Sequence, residues 1–171
     1  WEYISQLQRL IKGALGEMRS LLYELRPNSL AIADLPTLLG YLVDAVSART
    51  EIQVQLSLTN LSALPVDIKI ALYRIAQEAL NNALKHSHAT RIQLSLSMHA
   101  QVLELDISDN GIGFSHDQSE KGQLGLDIIR ERAATIGAAI EIQTSPGHGV
   151  HIALRHIVPP HVQEVDDVGA T

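Results

Sequence analysis

The chain has 171 residues, of which 46% are hydrophobic, 19% are charged and only 4% are aromatic, and its formal net charge is −6. This length suits one domain with a short addition, and aliphatic side chains must fill its core. The negative charge argues against nucleic-acid binding, which normally requires a basic patch for the phosphate backbone. The sequence contains no cysteine and no run of 18 apolar residues, so we expect neither a disulfide framework nor a membrane span.

The start of the sequence indicates a cytoplasmic module of a longer protein. Trp1-Glu2-Tyr3 leads directly into a helical pattern, without an initiator methionine and without a signal peptide. We therefore expect a module cut from a longer chain. This module makes no contact with a membrane, whether or not the longer protein is anchored in one.

Residues 1–26 have the pattern of one long helix. Its apolar residues alternate in steps of three and four, which is the a and d pattern of a heptad repeat: Ile4, Leu7, Ile11, Ala14, Met18, Leu21 and Leu25. Arg26-Pro27 ends the helix, because the residue before a proline is disfavoured in the α conformation. The pattern favours a bundle helix that pairs with a second copy of the chain. A helix lying on its own domain is the alternative.

Three further helices and five strands are predicted in residues 28–158. The helices run from Leu35 to about Arg49, from Asp67 to His86, and from about Leu124 to Ile136. Asp34 is placed to cap the first of them, and Gly137 to close the last. Alternating apolar residues predict strands at 51–58, 91–98, 102–108, 139–144 and 150–158.

The short gap at 99–101 makes the second and third strands an antiparallel hairpin. Hairpins with helices between them indicate an α+β fold: a two-layer sandwich in which three helices cover a mixed five-stranded sheet, preceded by the long helix. Residues 159–171 have no apolar period and are predicted to be a disordered tail.

The second predicted helix of this body carries a polar stripe. Glu78, Asn82 and His86 are four residues apart and lie nearly in line, with Asn81 and Lys85 beside them. A stripe of this kind, taken alone, most often faces solvent.

Two glycine motifs lie at the ends of predicted elements. In Asp109-x-Gly111-x-Gly113, the glycines would let a flat ligand approach the backbone, and the aspartate could accept a hydrogen bond from an exocyclic amine. Gly122-Gln123-Leu124-Gly125 precedes a helix whose free amides could bind phosphate. In isolation the first motif is more simply a common turn, and the second is equally a plain junction between loop and helix.

In this order and spacing, the motifs resemble the ATPase domain of sensor histidine kinases, within the wider Bergerat-fold family of gyrase, heat-shock-90 and MutL ATPases. The match covers about 28–158, and Leu72 to His86 looks like that family's N box. The run Leu124-Gly125-Leu126-Asp127-Ile128-Ile129-Arg130-Glu131-Arg132-Ala133 is similar to the subgroup that signals to LuxR/NarL-type response regulators, as is Glu24-Leu25-Arg26-Pro27. By this resemblance, 1–27 is the second helix of a dimerisation hairpin and 28–158 is the ATPase domain.

The resemblance implies that the chain binds ATP and Mg²⁺. Asn82 would be the Mg²⁺ ligand, and Glu78, as the catalytic residue, would polarise the attacking group or hold a metal-bound water. By the same resemblance, Lys85 and His86 would face the phosphates, which agrees with the need of phosphoryl transfer for positioning and charge neutralisation. Asp109 would bind the adenine amine, with room provided by Gly111 and Gly113. A short ATP lid would consist of Gly122, Gln123, Leu124, Gly125 and Leu126.

Two features depart from the family pattern. The chain has Gly149-Val150 where the family often has Gly-Thr, and valine has no hydroxyl to support the adenine contact. The phosphoacceptor histidine would lie before residue 1, and residues 1–85 contain no histidine. His116-Asp117 looks like an acceptor pair but falls in the lid loop, so we expect ATP binding without autophosphorylation. The histidines of the last strand, His151 and His156, are expected to face solvent.

The leading hypothesis is an ATP-binding catalytic module of a two-component sensor histidine kinase. It would transfer the γ-phosphoryl group of ATP to a histidine outside this chain, for relay to a LuxR/NarL-type response regulator. Residues 1–26 would form a homodimer. One alternative is a serine kinase of the anti-sigma type, against which the heptad helix and the Leu-Arg-Pro junction speak. The other is an interaction module with a degenerate nucleotide site, against which the intact Glu78, Asn82 and Asp109 speak.

Overall fold

A mixed five-stranded sheet with helices packed on its apolar face forms the body of the chain. The computed structural model describes residues 3, 4, 7, 8, 11, 14–16, 18, 30, 32–61, 64–115 and 120–158. The helices are α1 (Leu35–Arg49), α2 (Val66–Asn82) and α3 (Glu120–Thr135). The strands are β1 (Gln53–Thr59), β2 (Arg91–His99), β3 (Val102–Asp109), β4 (Ala139–Thr144) and β5 (Val150–Ile157). This architecture is the predicted α+β sandwich.

The strand order β1-β2-β3-β5-β4 places β3 between β2 and β5, so the end of β3 lies beside the starts of both neighbouring strands. β1 and β2 are parallel and are connected through α2, whereas the other neighbouring strands are antiparallel. Alternate residues of the central strands are buried under the helices: Ile92, Leu94, Leu96, Leu103, Leu105, Ile107, Ile152 and Leu154. In β3 and β5, Ser108 pairs with His151, so the end of β3 lies beside the start of β5.

The helix ends differ from the prediction at two places. α2 ends at Asn82, and a π-helical turn, Ala83–Ser87, follows it before His88 adopts a left-handed φ of 52°. The Ser87 hydroxyl donates to the Ala83 carbonyl at 2.7 Å, a local bond of the kind that bends helix ends. α3 begins at Glu120 rather than near Leu124, since good helix formers around Gly122 continue the helix through that glycine.

The two histidines of β5 lie on opposite faces of the sheet. His151 is half-buried, and its Nε2 is 3.2 Å from Asp106 Oδ1. His156 has the same strand parity as the buried Ile152 and Leu154, and both of its ring nitrogens are buried without a hydrogen-bond partner among the described residues. The expectation that His156 faces solvent is therefore wrong, because strand alternation directs it inward.

The described residues between 3 and 18 are helical, in agreement with the predicted long helix, and Leu30 and Ile32 are helical beyond its predicted end at Arg26-Pro27. Gly16 is buried, and a Cβ there would lie 3.2 Å from backbone atoms of Tyr41 and Ala45, so this helix packs directly on α1. Four of its heptad residues are 51–61% exposed: Ile4, Leu7, Ile11 and Met18. The junction at 24–27, the His116-Asp117 pair and the predicted tail at 159–171 lie outside the described residues. Within the described ranges, no helix is long and apolar enough to span a membrane.

Asp34 caps α1 as predicted, and its replacement by alanine is expected to lower the free energy of unfolding by about 1 kcal/mol. Its Oδ2 accepts hydrogen bonds from the Thr37 amide at 3.1 Å and the Thr37 hydroxyl at 3.0 Å. These bonds lower the pKa of Asp34 below 3.8, so the stabilisation is present above pH 3.8 and is lost as the pH falls through the folded-state pKa. Urea denaturation measures the effect. Asp34→Asn, which keeps an accepting oxygen, is the control, and equal losses in both variants would contradict capping.

Candidate functional site

A cavity of about 250 Å³ opens between the end of α2, the ends of β3 and β5, and the start of α3. Its walls are mostly apolar and include Ile92, Ile107, Ile112, Phe114, Leu126, Val150 and Ile152. The side chains of Asn82, His86, Ser87 and Asp109 add a few polar groups. An apolar slot with a few placed polar groups is the common form of a small-molecule site.

Asp109 ends β3 and lies half-buried in the cavity wall. Its Oδ1 accepts a hydrogen bond from the Gly111 amide at 2.8 Å, and the Val150 amide also donates to this carboxylate. Burial raises the pKa of Asp109 above 3.8, and the two amide hydrogen bonds oppose that rise. A carboxylate has about four acceptor positions, so it can accept a further hydrogen bond from a ligand.

The predicted glycines around Asp109 are required mainly by neighbouring backbone. A Cβ on Gly111 would collide with the Ser87 carbonyl oxygen, and a Cβ on Gly113 with the Ser145 carbonyl oxygen. Gly113 lines the cavity and has a φ of +56°, which also favours glycine. The two glycines therefore let three segments of the chain meet beside the cavity.

The polar stripe of α2 lies partly under the start of α3. A Cβ on Gly125 would lie 2.6–2.8 Å from side-chain atoms of Asn82 and Glu78, so a glycine permits this packing. The Nδ2 of Asn82 is buried and has no hydrogen-bond partner among the described residues. The stripe thus faces another element and the cavity rather than open solvent at these two positions.

The remaining predicted site residues lie on the π-helical turn and on α3. His86 and Lys85 are both exposed, and of the two only His86 lines the cavity. Leu126 is buried in the cavity wall, whereas Leu124 is 69% exposed. Gly122 and Gln123 lie within the first turns of α3.

The chemistry of Asn82 and Glu78 fits a magnesium ion that is shared with phosphate. Mg²⁺ prefers oxygen ligands, retains several waters and usually takes one or two protein side chains together with phosphate oxygens. The oxygens Asn82 Oδ1 and Glu78 Oε1 both lie within 2.8 Å of one point, the position of a Cβ on Gly125, so two such ligands are close together. In the described ranges, no group of three or more histidine, cysteine or acidic residues could hold a metal.

Several cavity residues were not singled out in the sequence. Ser87 and Phe114 lie directly beside predicted site residues, and Phe114 is the single phenylalanine of the chain. Ile92, Ile107 and Ile152 follow from strand alternation, which predicts that they face the helices. Sequence neighbourhood could have indicated the first two residues, but their contacts depend on the tertiary fold.

The sandwich and its slot have the form of a histidine kinase ATPase domain. The family model described as histidine kinase-, DNA gyrase B- and HSP90-like ATPase matches residues 67–160, which is more than half of the chain. The chain belongs to this family.

A sensor histidine kinase is among the proteins similar to the chain in sequence, and histidine kinases are among those with a similar fold. The chain is 32% identical over 152 residues to the sensor histidine kinase LiaS of Bacillus subtilis, and the match covers 89% of this chain and 42% of LiaS. The blue-light-activated histidine kinase EL346 of Erythrobacter litoralis superposes with a TM-score of 0.64 at 21% identity, over 92% of this chain and 50% of that one. The ATP binding domain of PrrB from Mycobacterium tuberculosis gives a TM-score of 0.55 at 28% identity, over 74% and 96%. The chain spans less than half the length of LiaS.

Replacing Gly149 with alanine is expected to destabilise the protein more than replacing Gly137. Both glycines have positive φ, +68° and +65°, and this conformation costs a non-glycine residue roughly 1–2 kcal/mol. A Cβ on Gly149 would also collide with the Asp109 carbonyl oxygen, whereas no heavy atom lies within 4 Å of a Cβ on Gly137. Urea denaturation of both variants tests this. Equal losses of stability in the two variants would show that the positive φ alone, and not the contact with Asp109, requires a glycine at position 149.

Asp109→Asn is expected to gain stability relative to the unmutated chain as the pH rises. Because burial raises the folded-state pKa of Asp109 above 3.8, the folded protein binds the proton more tightly than the unfolded chain does. The contribution of Asp109 is most favourable below pH 3.8 and is lost as the pH rises through the folded-state pKa. Asparagine has no such titration but keeps an oxygen for the amides. Denaturation of both proteins across this range measures the difference, and a growing advantage of aspartate towards neutral pH would contradict the direction of the shift.

Proposed function

We propose that this chain is the ATP-binding catalytic module of a two-component sensor histidine kinase. It binds Mg·ATP and supplies the γ-phosphoryl group to a histidine outside the described chain, for relay to an aspartate of a response regulator. The observation that carries the proposal is the half-buried Asp109 carboxylate in an apolar slot of a chain of this ATPase family. Similarity to LiaS, a sensor histidine kinase, and to the ATP binding domain of PrrB supports it.

The slot suits the base end of the nucleotide. At about 250 Å³ it is near the lower end of ligand pockets, which begin at roughly 300 Å³, so it accommodates a base better than a whole triphosphate. The planar ring packs between apolar side chains such as Ile112 and Ile152, and the Asp109 carboxylate accepts a hydrogen bond from its exocyclic amine. Val150 contributes an apolar wall and, through its amide, a hydrogen bond to Asp109.

The triphosphate lies along the end of α2. His86 and Lys85 are exposed there and can approach phosphate oxygens, and the first turns of α3 close the site from the other side. Asn82 would hold Mg²⁺ together with phosphate oxygens, and the ion would neutralise phosphate charge. Glu78, next to Asn82, orients and polarises the incoming imidazole by accepting a hydrogen bond from its ring N–H.

The partners follow from the segments outside the cavity. The exposed heptad residues Ile4, Leu7, Ile11 and Met18 support pairing of 1–26 with a second copy of the chain. The likeness of 24–27 and 124–133 to one kinase subgroup supports a LuxR/NarL-type response regulator as the partner of the longer protein. The phosphoryl transfer takes place in the cytoplasm, where ATP is supplied.

Titration with a fluorescent ATP analogue tests the proposal. We expect the unmutated chain to bind it with Mg²⁺, and Asp109→Ala to lower the affinity at least about tenfold, because a charged hydrogen bond is worth roughly 1.5–3 kcal/mol. Asn82→Ala should weaken binding mainly when Mg²⁺ is present. Asp106→Ala is the matched control, since Asp106 lies on the same strand but pairs with His151 outside the cavity.

The outcomes separate the alternatives. Absence of binding by the unmutated chain would favour an interaction module with a degenerate nucleotide site. Label from γ-labelled ATP should pass to a separately supplied dimerisation segment that contains its histidine. Transfer to a serine-bearing protein instead would favour a kinase of the anti-sigma type.

A further inference from the structure

Thr144, the last residue of β4, joins two segments of the cavity wall without lining the cavity itself. Its hydroxyl oxygen accepts a hydrogen bond from the Phe114 amide at 3.2 Å and donates one to the Gly149 carbonyl at 2.8 Å. Phe114 and the residue after Gly149, Val150, both line the cavity. A hydroxyl can donate and accept at once, whereas a methyl group of similar size can do neither.

The turn between β4 and β5 is also tied to the loop that follows Asp109. The Gly147 amide donates to the Ile112 carbonyl at 2.6 Å. The Gly149 backbone lies so close to the Asp109 carbonyl oxygen that a Cβ would not fit between them. The start of β5 is therefore held between the Asp109 backbone on one side and the Thr144 hydroxyl on the other.

This arrangement connects the Thr144 hydroxyl to one of the hydrogen bonds of the Asp109 carboxylate. One of its two amide donors, Val150, immediately follows the carbonyl that Thr144 binds. A shift of Gly149 would move the Val150 amide and change which oxygen positions of the carboxylate stay available. The Val150 amide and the Gly149 carbonyl thus connect the Asp109 carboxylate to a hydroxyl 35 residues further along the chain, at 144 as against 109.

We propose that Thr144 is a positioning residue for recognition of the base, acting through Gly149 and Val150 on Asp109. This inference rests on the proposed nucleotide binding. Thr144 holds the amide of Val150 on Asp109, so that a free acceptor position of the carboxylate faces the exocyclic amine of the base. It selects bases that carry this amine and makes no contact with the nucleotide.

Thr144→Val is the test, with ATP compared to inosine triphosphate, which has a carbonyl in place of the amine. We expect the affinity for ATP to fall about fivefold, less than in Asp109→Ala because the carboxylate remains and its hydrogen bond to the amine is weakened rather than removed. The affinity for inosine triphosphate should fall less. The ratio of the affinity for ATP to that for inosine triphosphate should therefore decrease. Thr144→Ser keeps the hydroxyl and should restore this ratio. If the valine variant does not fold, Thr144→Ala replaces it, because alanine removes the hydroxyl without placing a methyl group there.

Thr50 provides a matched control away from the cavity. Its hydroxyl donates to the Val46 carbonyl at 3.1 Å and accepts from the Ile52 amide at 3.3 Å, the same two kinds of bond that Thr144 makes. Thr50→Val should lower stability without changing the preference for ATP. Isothermal titration with each nucleotide, alongside urea denaturation, gives both quantities.

The results distinguish this inference from the proposed function. If the unmutated chain does not bind ATP, the proposed function fails and the inference fails with it. If the unmutated chain binds ATP and Thr144→Val keeps the same preference, the nucleotide site stands and the role of Thr144 is overturned. An equal loss for both nucleotides, or no recovery in Thr144→Ser, would also overturn it.

Discussion

The close contact between the Gly149 backbone and the Asp109 carbonyl determines where the other parts of the cavity lie. At this point β5 begins so near to the end of β3 that a glycine with positive φ is required. The next amide, that of Val150, then reaches the Asp109 carboxylate. Behind this contact, Ile107 and Ile152 pair across the same two strands and are buried under the helices. The apolar packing that stabilises the sheet therefore also places the carboxylate.

The opposite wall depends on a local departure from α-helical geometry. The Ser87 hydroxyl donates to the Ala83 carbonyl and accepts from the Ala89 amide, and the Ser87 carbonyl accepts from the Ile112 amide at 2.8 Å. The π-helical turn thus connects the end of α2 to the loop after Asp109. Single π-helical turns are frequent at functional sites, and here the turn brings His86 to the cavity and leaves Lys85 outside its lining.

Strand alternation was sufficient to predict the five strands to within two residues, because one buried face imposes a strict period of two. The same alternation indicates that His156 faces inward with Ile152 and Leu154, although the expectation for His156 rested on its polarity instead. Helix ends were less predictable. They depend on single side-chain bonds, such as that of Ser87, and on tertiary packing such as that of Gly125 against Asn82.

For the site, the sequence indicated which residue types lie together but not which contacts they make. The motif predicted that an aspartate and glycines lie together, but spacing along the chain does not reveal that Gly111 contacts Ser87, or that Thr144 binds an amide 30 residues away. The same limit applies to Val150, whose missing hydroxyl suggested a weaker adenine contact. Val150 supports Asp109 through its amide, which any residue except proline provides, whereas both bonds of Thr144 come from its hydroxyl. The importance of a hydroxyl near this cavity therefore follows from the groups it joins rather than from its position in a motif.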